Sequence, residues 1–338
     1  MRSLAAGLVV LALAAWPVTV HADGHATARA PDPWTGLTNL DPTPAQVEPS
    51  HTLARALSAG SVAAFYTTFG TWAYFAWYDH QERNPHFLIG GDGAFGVNTY
   101  AGGADKLGHF WANMVTTRLA IHMLRAGHWD ETPAKAIAAG LSAVFFTIVE
   151  VKDGYFYQFS YSDETANLLG AAVAVALESS PRLDRLLDIR VEYWPSKEYL
   201  AILHGASGAD VSSANVAEDY SGQTYLLALH LGEVGGLGEH RWTRASRYLD
   251  AVIGYRTEHY KPDLRDPTFD RGDPTQVLSF GLSLNLQGAI DDLLAGHDGR
   301  RHVRAAAHAL TEVFNPPFAS FRPLEASRST DAGRIVPE

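Results

Sequence analysis

Three short blocks concentrate the residues able to do chemistry. The first is Gly102-Gly103-Ala104-Asp105-Lys106-Leu107-Gly108-His109, the second Glu150-Val151-Lys152-Asp153, and the third Phe159-Ser160-Tyr161-Ser162-Asp163-Glu164-Thr165-Ala166-Asn167. Asp105 and His109 stand four apart, so a helix carries both on one face, and Asp163 with Asn167 repeats the spacing. Glu150 and Asp153 are three apart, and Glu150 ends a run of fourteen uncharged residues, 136–149. A carboxyl placed there is expected to be buried, with its proton held more tightly than usual. Asp105, Lys106, His109, Glu150, Asp153, Asp163 and Asn167 are therefore the candidate catalytic residues.

Two chemistries suit this set. Asp105, His109 and Glu150 can offer a nitrogen and carboxylate oxygens to a divalent metal ion, with Asp153 as a further oxygen, although no H-E-x-x-H motif is present. Alternatively Glu150 or His109 can act as a metal-free general base. No G-x-S-x-G elbow and no Cys occur, which removes the common nucleophile schemes. No organic cofactor motif is apparent, so a divalent metal is the candidate cofactor. Each residue also has a structural reading: Asp105 as an N-cap accepting from the Gly108 amide, Asp163 as a cap or first-turn acid, Lys106 in an exposed ion pair, and His109 as a hydrogen-bonded core histidine. Glu150 demands a partner such as Lys106 or His109, because an unpaired buried carboxylate is costly.

Four helical segments must position these blocks. They are expected over about 52–79, 105–125, 132–152 and from Ser162 to Leu177. The first is uncharged from Ala56 to Tyr78, long enough to cross a bilayer or to serve as a buried central helix, and ends in an aromatic cluster. The uncharged core of the third, 136–149, is too short for a comfortable span. Small residues dominate the fourth, so neighbouring helices can approach closely. Beyond Pro181 the period changes: 189–194, 246–258 and 276–286 alternate like strands with one buried face, and 260–275 is their long connection. Alternation of this kind also marks outer-membrane strands, but two or three such segments do not close a barrel.

The chain begins with Arg2, an apolar run from Leu4 to Ala15 and Val20-His21-Ala22, a small-x-small cleavage pattern. Residues 1–22 read as a secretory signal peptide and place the mature protein outside the cytoplasm. Its removal takes away one of 26 basic residues and none of the 37 acidic ones, moving the formal charge from −11 to −12. Such a surface repels nucleic acid and gains nothing from anionic lipid. Residues 23–50 carry Pro31, Pro33, Pro42, Pro44 and Pro49 and read as an extended arm. The tail 315–338 is expected to be disordered.

The blocks DKLGH, E-x-x-D and FSYSDETANLLG, with Glu-Asp-Tyr-Ser-Gly-Gln at 218–223, resemble the DUF2279 (YfiM-like) family of predicted periplasmic proteins over about 90–290. D-K-x-x-H, Glu and D-x-x-x-N in similar order also resemble VanZ-like membrane proteins. The first resemblance implies a compartment and a fold rather than an activity. Its members are often lipoproteins, whereas this sequence has no Cys to lipidate. The expectation is an α+β protein, mainly α: an apolar four-helix bundle over 51–180, then a mixed α/β region over 181–314, a small antiparallel sheet with further helices packed on the bundle. The leading functional reading is a periplasmic, membrane-proximal envelope protein with a binding or scaffolding role and an envelope component or membrane surface as partner. The alternatives are a hydrolase-like enzyme using His109 with Asp105, Glu150 or Asp153, and an integral membrane helical protein of the VanZ-like kind.

Overall fold

A computed structural model describes residues 50–79, 81–91, 93–205, 215–239, 243–262, 272–294, 301–330 and 336–337. The expected signal peptide, nearly all of the extended arm and most of the 260–275 connection lie outside the described residues. The fold is mixed α+β, mainly helical. Four long helices come first: α1 (Ser50–Ala73, continued by a π-turn over Tyr74–Tyr78), α2 (Ala104–Ala126), α3 (Glu131–Phe156) and α4 (Tyr161–Ser179). The short strands β1 (Ile89–Gly90) and β2 (Phe159–Ser160) pair in parallel beside them. Then follow α5 (Pro181–Leu186), β3 (Leu187–Tyr193), α6 (Lys197–Leu203), β4 (Gln223–His230), β5 (Leu249–Glu258), β6 (Thr275–Leu284), α7 (Leu286–Leu294), α8 (Arg301–Val313), β7 (Phe314–Asn315), β8 (Ser320–Ser329) and β9 (Val336–Pro337).

Small residues set how closely the helices pack. Ala166, Gly170, Ala171 and Ala174 form the buried stripe of α4. At Gly170 a Cβ would fall 2.2 Å from the Phe110 carbonyl oxygen, so α4 lies directly on the backbone of α2. Val62 and Tyr66 of α1 meet Ile121 and Leu124 of α2 and Ala134 and Ala138 of α3 in one apolar cluster. Polar clasps reinforce it: Ser142 Oγ donates to Asn113 Oδ1 at 2.6 Å, as does Thr117 Oγ1 at 3.1 Å. Arg118, buried on α2, contacts Glu178 at 2.9 Å, Asp184 at 2.6 Å and Glu312 at 2.5 Å, joining α4, α5 and α8 through one guanidinium. By length and composition the described helix that could cross a bilayer is α3. The helix runs from Glu131 to Phe156, longer at both ends than the uncharged core 136–149 from which a comfortable span was not expected.

The sheet is larger than the alternation predicts, with strand order β7-β3-β4-β5-β6-β8-β9. All neighbours are antiparallel except β7 with β3. The 315–338 tail is not disordered throughout. Ser320–Ser329 pairs along β6, because its alternating pattern finds a partner edge that a count of Pro, Ser and charge does not reveal. The turn between β7 and β8 also bridges the sheet's two sides, since Leu284 N–H donates to the Ala319 carbonyl at 3.0 Å while Asn315 pairs with Glu192 of β3. Glu192 further contacts Ser320 Oγ at 2.9 Å and Arg322 at 3.2 Å. Strands β3 and β8, three strands apart in the order, are thus joined by side chains, and the sheet curls round them.

The face inside this curl mixes buried charges with buried Leu226, Ala228, Val252 and Val277. Arg190 pairs with Asp188 at 2.5 Å and Asp250 at 2.7 Å, all three buried. His230 lies 2.7 Å from Asp250, and Gln287 of α7 donates to Asp188 at 2.9 Å. Every charge there has a partner, as burial requires.

Candidate functional site

The site begins where the sheet grips the loop before α2. Gly102 and Gly103 have φ of +63° and +89°, a left-handed conformation that side chains resist. Gly102's carbonyl accepts from Gln276 Nε2 at 2.7 Å and from the Tyr255 hydroxyl. Tyr260 OH donates to the Val97 carbonyl at 2.6 Å. This turn starts α2 with Asp105 and Lys106 already buried. The structure corrects two local readings here. The N-cap is Gly103 rather than Asp105, and Lys106 is 3% exposed rather than a surface cation.

Lys106 Nζ lies 2.5 Å from Asp105 Oδ2 and 2.8 Å from Asp163 Oδ1, bridging the first turns of α2 and α4. Burial works to lower its pKa, but the two carboxylates outweigh it and hold the ammonium charged. Asp163 is a first-turn acid; the cap of α4 is Ser160, whose Oγ accepts from the Asp163 amide at 3.2 Å. One turn further along each helix, His109 Nδ1 stands 3.2 Å from Asn167 Oδ1 and 3.3 Å from Glu150 Oε1. Asn167 Nδ2 donates to the same Glu150 oxygen at 3.3 Å. The (i, i+4) pairs thus point to one place, as their spacing implies.

Glu150 is 1% exposed. Burial pushes its pKa up to about 9, helped by the nearby Asp163 and Asp153, while a hydrogen bond from the Ser160 amide opposes the rise. Asp153 faces away from this centre and accepts from Tyr78 OH at 2.7 Å. Burial lifts it to about 6, less than Glu150 because the Tyr78 hydrogen bond and His109 favour its charged form. Lys152 turns outward and lies over the rings of Tyr74 at 4.3 Å and Tyr78 at 4.1 Å.

His109, Glu150 and Asp163 each present a ligand atom within 4.8 Å of the others. Asp163 rather than Asp105 lies with His109 and Glu150, although both acids also contact Lys106. A tetrahedral ion holds its donors about 3.4 Å apart. His109 Nδ1 and Glu150 Oε1, 3.3 Å apart, are near that spacing. Residues that the sequence reading passed over are Tyr78, Ser160 and Thr147, whose Oγ1 donates to Glu164 at 2.7 Å. Only Tyr78 carried a signal, an aromatic with a polar tip at the end of an apolar helix.

The model of the DUF2279 family, described as a predicted periplasmic lipoprotein, matches residues 91–179. That segment contains the glycine turn, α2, α3 and all of α4, hence every member of the cluster except Tyr78. The match supports a periplasmic setting, and the family's activity is unknown. The sequence contains no Cys to carry a lipid. No curated protein and no solved structure matches the chain.

Proposed function

We propose that this is a membrane-proximal periplasmic envelope protein with a binding role, and that its helical half binds a divalent transition-metal ion between His109, Glu150 and Asp163. The observation that carries the reading is the convergence of one imidazole nitrogen and two carboxylate oxygens within 4.8 Å, on three different helices. Nitrogen with oxygen ligands suits zinc and its neighbours better than magnesium or calcium, which take oxygen alone. Asn167 Nδ2 donates to Glu150 and holds that ligand in place, whereas metal binding at His109 Nδ1 gives up the hydrogen bond to Asn167 Oδ1. Lys106 competes for Asp163, so binding exchanges an ion pair for a metal bond. Apolar side chains on the outer side of α3, among them Leu141, Val144 and Ile148, support the membrane-proximal placement.

Titration calorimetry of the purified protein with Zn2+, alongside His109→Ala and Asp163→Asn, tests the metal site. One equivalent bound by the wild type and lost in both variants is the expected result. Equal binding by His109→Ala, or no stoichiometric binding by the wild type, overturns it. A second reading, acid–base chemistry without a metal, is favoured by the Glu150 pKa of about 9, which leaves a carboxylic acid able to donate a proton at neutral pH.

A further inference from the structure

The curled inner face of the sheet holds the buried charges Asp188, Arg190, Asp250 and His230 beside buried Leu226, Ala228, Val252 and Val277, whereas its outer face is apolar strand after strand. Register places Ile189, Leu227, Ile253, Phe280 and Leu324 in one row across five strands. Leu187, Leu229, Ala251, Leu282 and Phe321 form the next row. Val191, Tyr225, Tyr255, Leu278 and Ala326 form a third, and there α2 and its preceding loop cover Val191 and Tyr225. Leu249 opposite Leu284 begins a fourth. None of these rows contains a charged residue. Ile189 packs against Met114, Ala174 and Leu177 of α2 and α4, and the outer face is open towards β5, β6 and β8: Leu227 and Ile253 are each 42% exposed and Leu324 64%.

We propose that this outer face is a lipid-contacting surface, embedded among the acyl chains of a bilayer. The inference deepens the membrane-proximal part of the reading above and is independent of the metal site. A water-soluble sheet turns its apolar face inward and its polar face to solvent. Here the buried charges lie inside and a wide apolar face lies outside, so the outer face gains hydrophobic stabilisation only if it leaves water. Apolar-out and polar-in alternation is the pattern of strands in a membrane. Lipid also forbids unpaired backbone edges, and on the Glu192 side the β7–β8 segment pairs with β3 and then with β6. The curl makes the apolar face convex. A second copy meets a convex surface over only part of its arc, whereas acyl chains follow it.

The band has polar limits. At the end nearest the helices stand Thr257, Gln276 and Arg328, joined in one row by the ladder. At the other end Tyr248 OH donates to Asp292 at 2.6 Å beside the Arg247–Asp292 pair, an amphipathic ring where a membrane interface would place one. Four rows two residues apart span about 20 Å along the strands, close to the roughly 25 Å apolar band of outer-membrane barrels.

The absence of Cys from the sequence gives a clean test. Single-cysteine variants at Ile253, Phe280 and Leu282, and at Glu131 on the exposed start of α3, are labelled with a nitroxide and reconstituted in phosphatidylcholine vesicles. Accessibility is then read with oxygen and with a water-soluble nickel chelate. The expected result is high oxygen and low nickel accessibility at the three sheet positions and the reverse at Glu131. Nickel access to the sheet labels equal to that at Glu131 overturns the proposal. So does burial of those labels accompanied by short label-to-label distances between molecules, the signature of a second copy. A parallel arm compares Phe280→Asp and Phe280→Leu in cells by carbonate extraction. Asp is expected to lose most of the membrane-retained protein while Leu retains it, and the cysteine labels keep the proposal open to refutation if Asp fails to fold. Loss of zinc binding in His109→Ala leaves these accessibilities unchanged, so the two proposals fail separately.

Discussion

Glu150→Gln is expected to stabilise the protein at neutral pH, and the gain is expected to grow with pH. The folded state holds the Glu150 proton to about 9, against an ordinary 4.5. Between those values the folded protein binds a proton that the unfolded chain has released, so wild-type stability is greatest below about 4.5 and falls as pH rises toward 9. At pH 7 the gap, at about 1.4 kcal/mol per pH unit, sets a ceiling near 3 kcal/mol, and 1–3 kcal/mol is the order expected. Glutamine imitates the protonated acid: its Oε1 still accepts from Asn167, which lies 3.3 Å away in the wild type, and it has no proton to lose.

Asp153, lifted to about 6, acts in the same direction but is exhausted above that pH, which leaves the range 6.5–8.5 to Glu150. Urea denaturation of wild type and variant, followed by tryptophan fluorescence with EDTA present, measures the difference. Subtracting one curve from the other at each pH removes titrations common to both proteins. The stability difference is expected to widen by about 1.4 kcal/mol per unit across that range and to vanish below pH 4.5. A difference that does not change with pH, or a Gln variant less stable than wild type throughout, refutes the account of Glu150 as a buried neutral acid.

Further expectations follow from the same geometry. Lys106→Met leaves Asp105 and Asp163 without the ammonium that bridges them at 2.5 and 2.8 Å, and is expected to cost about 3–5 kcal/mol in denaturant titration. If it costs less than 1 kcal/mol, the bridge does not hold the first turns of α2 and α4 together. Gly103→Ala meets both a φ of +89° and the Phe95 ring, whose Cδ1 would lie 2.4 Å from the new Cβ; a lowered melting temperature of roughly 1–3 kcal/mol equivalent is expected. Zinc affinity is expected to rise with pH between 6 and 8, because the metal displaces the Glu150 proton, with protons released in calorimetry buffers of differing ionisation heat. Zinc binding without proton release argues for ligands other than Glu150.

Much of the helical half was legible because two periodicities coincide there. Asp105 with His109 and Asp163 with Asn167 are (i, i+4) pairs, and the run before Glu150 is apolar, so their convergence follows from helix geometry once the helices pack. That Asp163 rather than Asp105 lies with His109 and Glu150 was not legible. It depends on Lys106 bridging two helices, a contact 57 positions apart in the chain that no local pattern encodes. Tyr78 and Ser160 were missed for a related reason, since a capping hydroxyl and a phenol take their meaning from what tertiary packing sets opposite them.

The sheet shows the limit differently. Alternation at 246–258 and 276–286 identifies strands, yet alternation alone does not say which face is inside, because a strand shows the same period of two in water and in lipid. The usual assumption sends Ile253 and Phe280 inward and Asp250 outward. What reverses it is the set of long-range partners: Arg190 from a strand 60 positions away meets Asp250, and His230 meets it from the neighbouring strand. With those charges satisfied inside, the strand's polar residues have no need of water, and its apolar ones are left facing whatever surrounds the protein. The chain whose first helix was open to reading as a span or as a buried central helix thus presents a broad apolar surface through the sheet. That surface lies on the far side of the glycine turn from the His109–Glu150–Asp163 cluster. Gln276 sits in the polar row bounding the apolar band and donates to the Gly102 carbonyl at 2.7 Å. A single side chain therefore ties the edge of the lipid-facing surface to the start of the helix that carries Lys106 and His109, and how the sheet seats in its surroundings bears directly on where α2 begins.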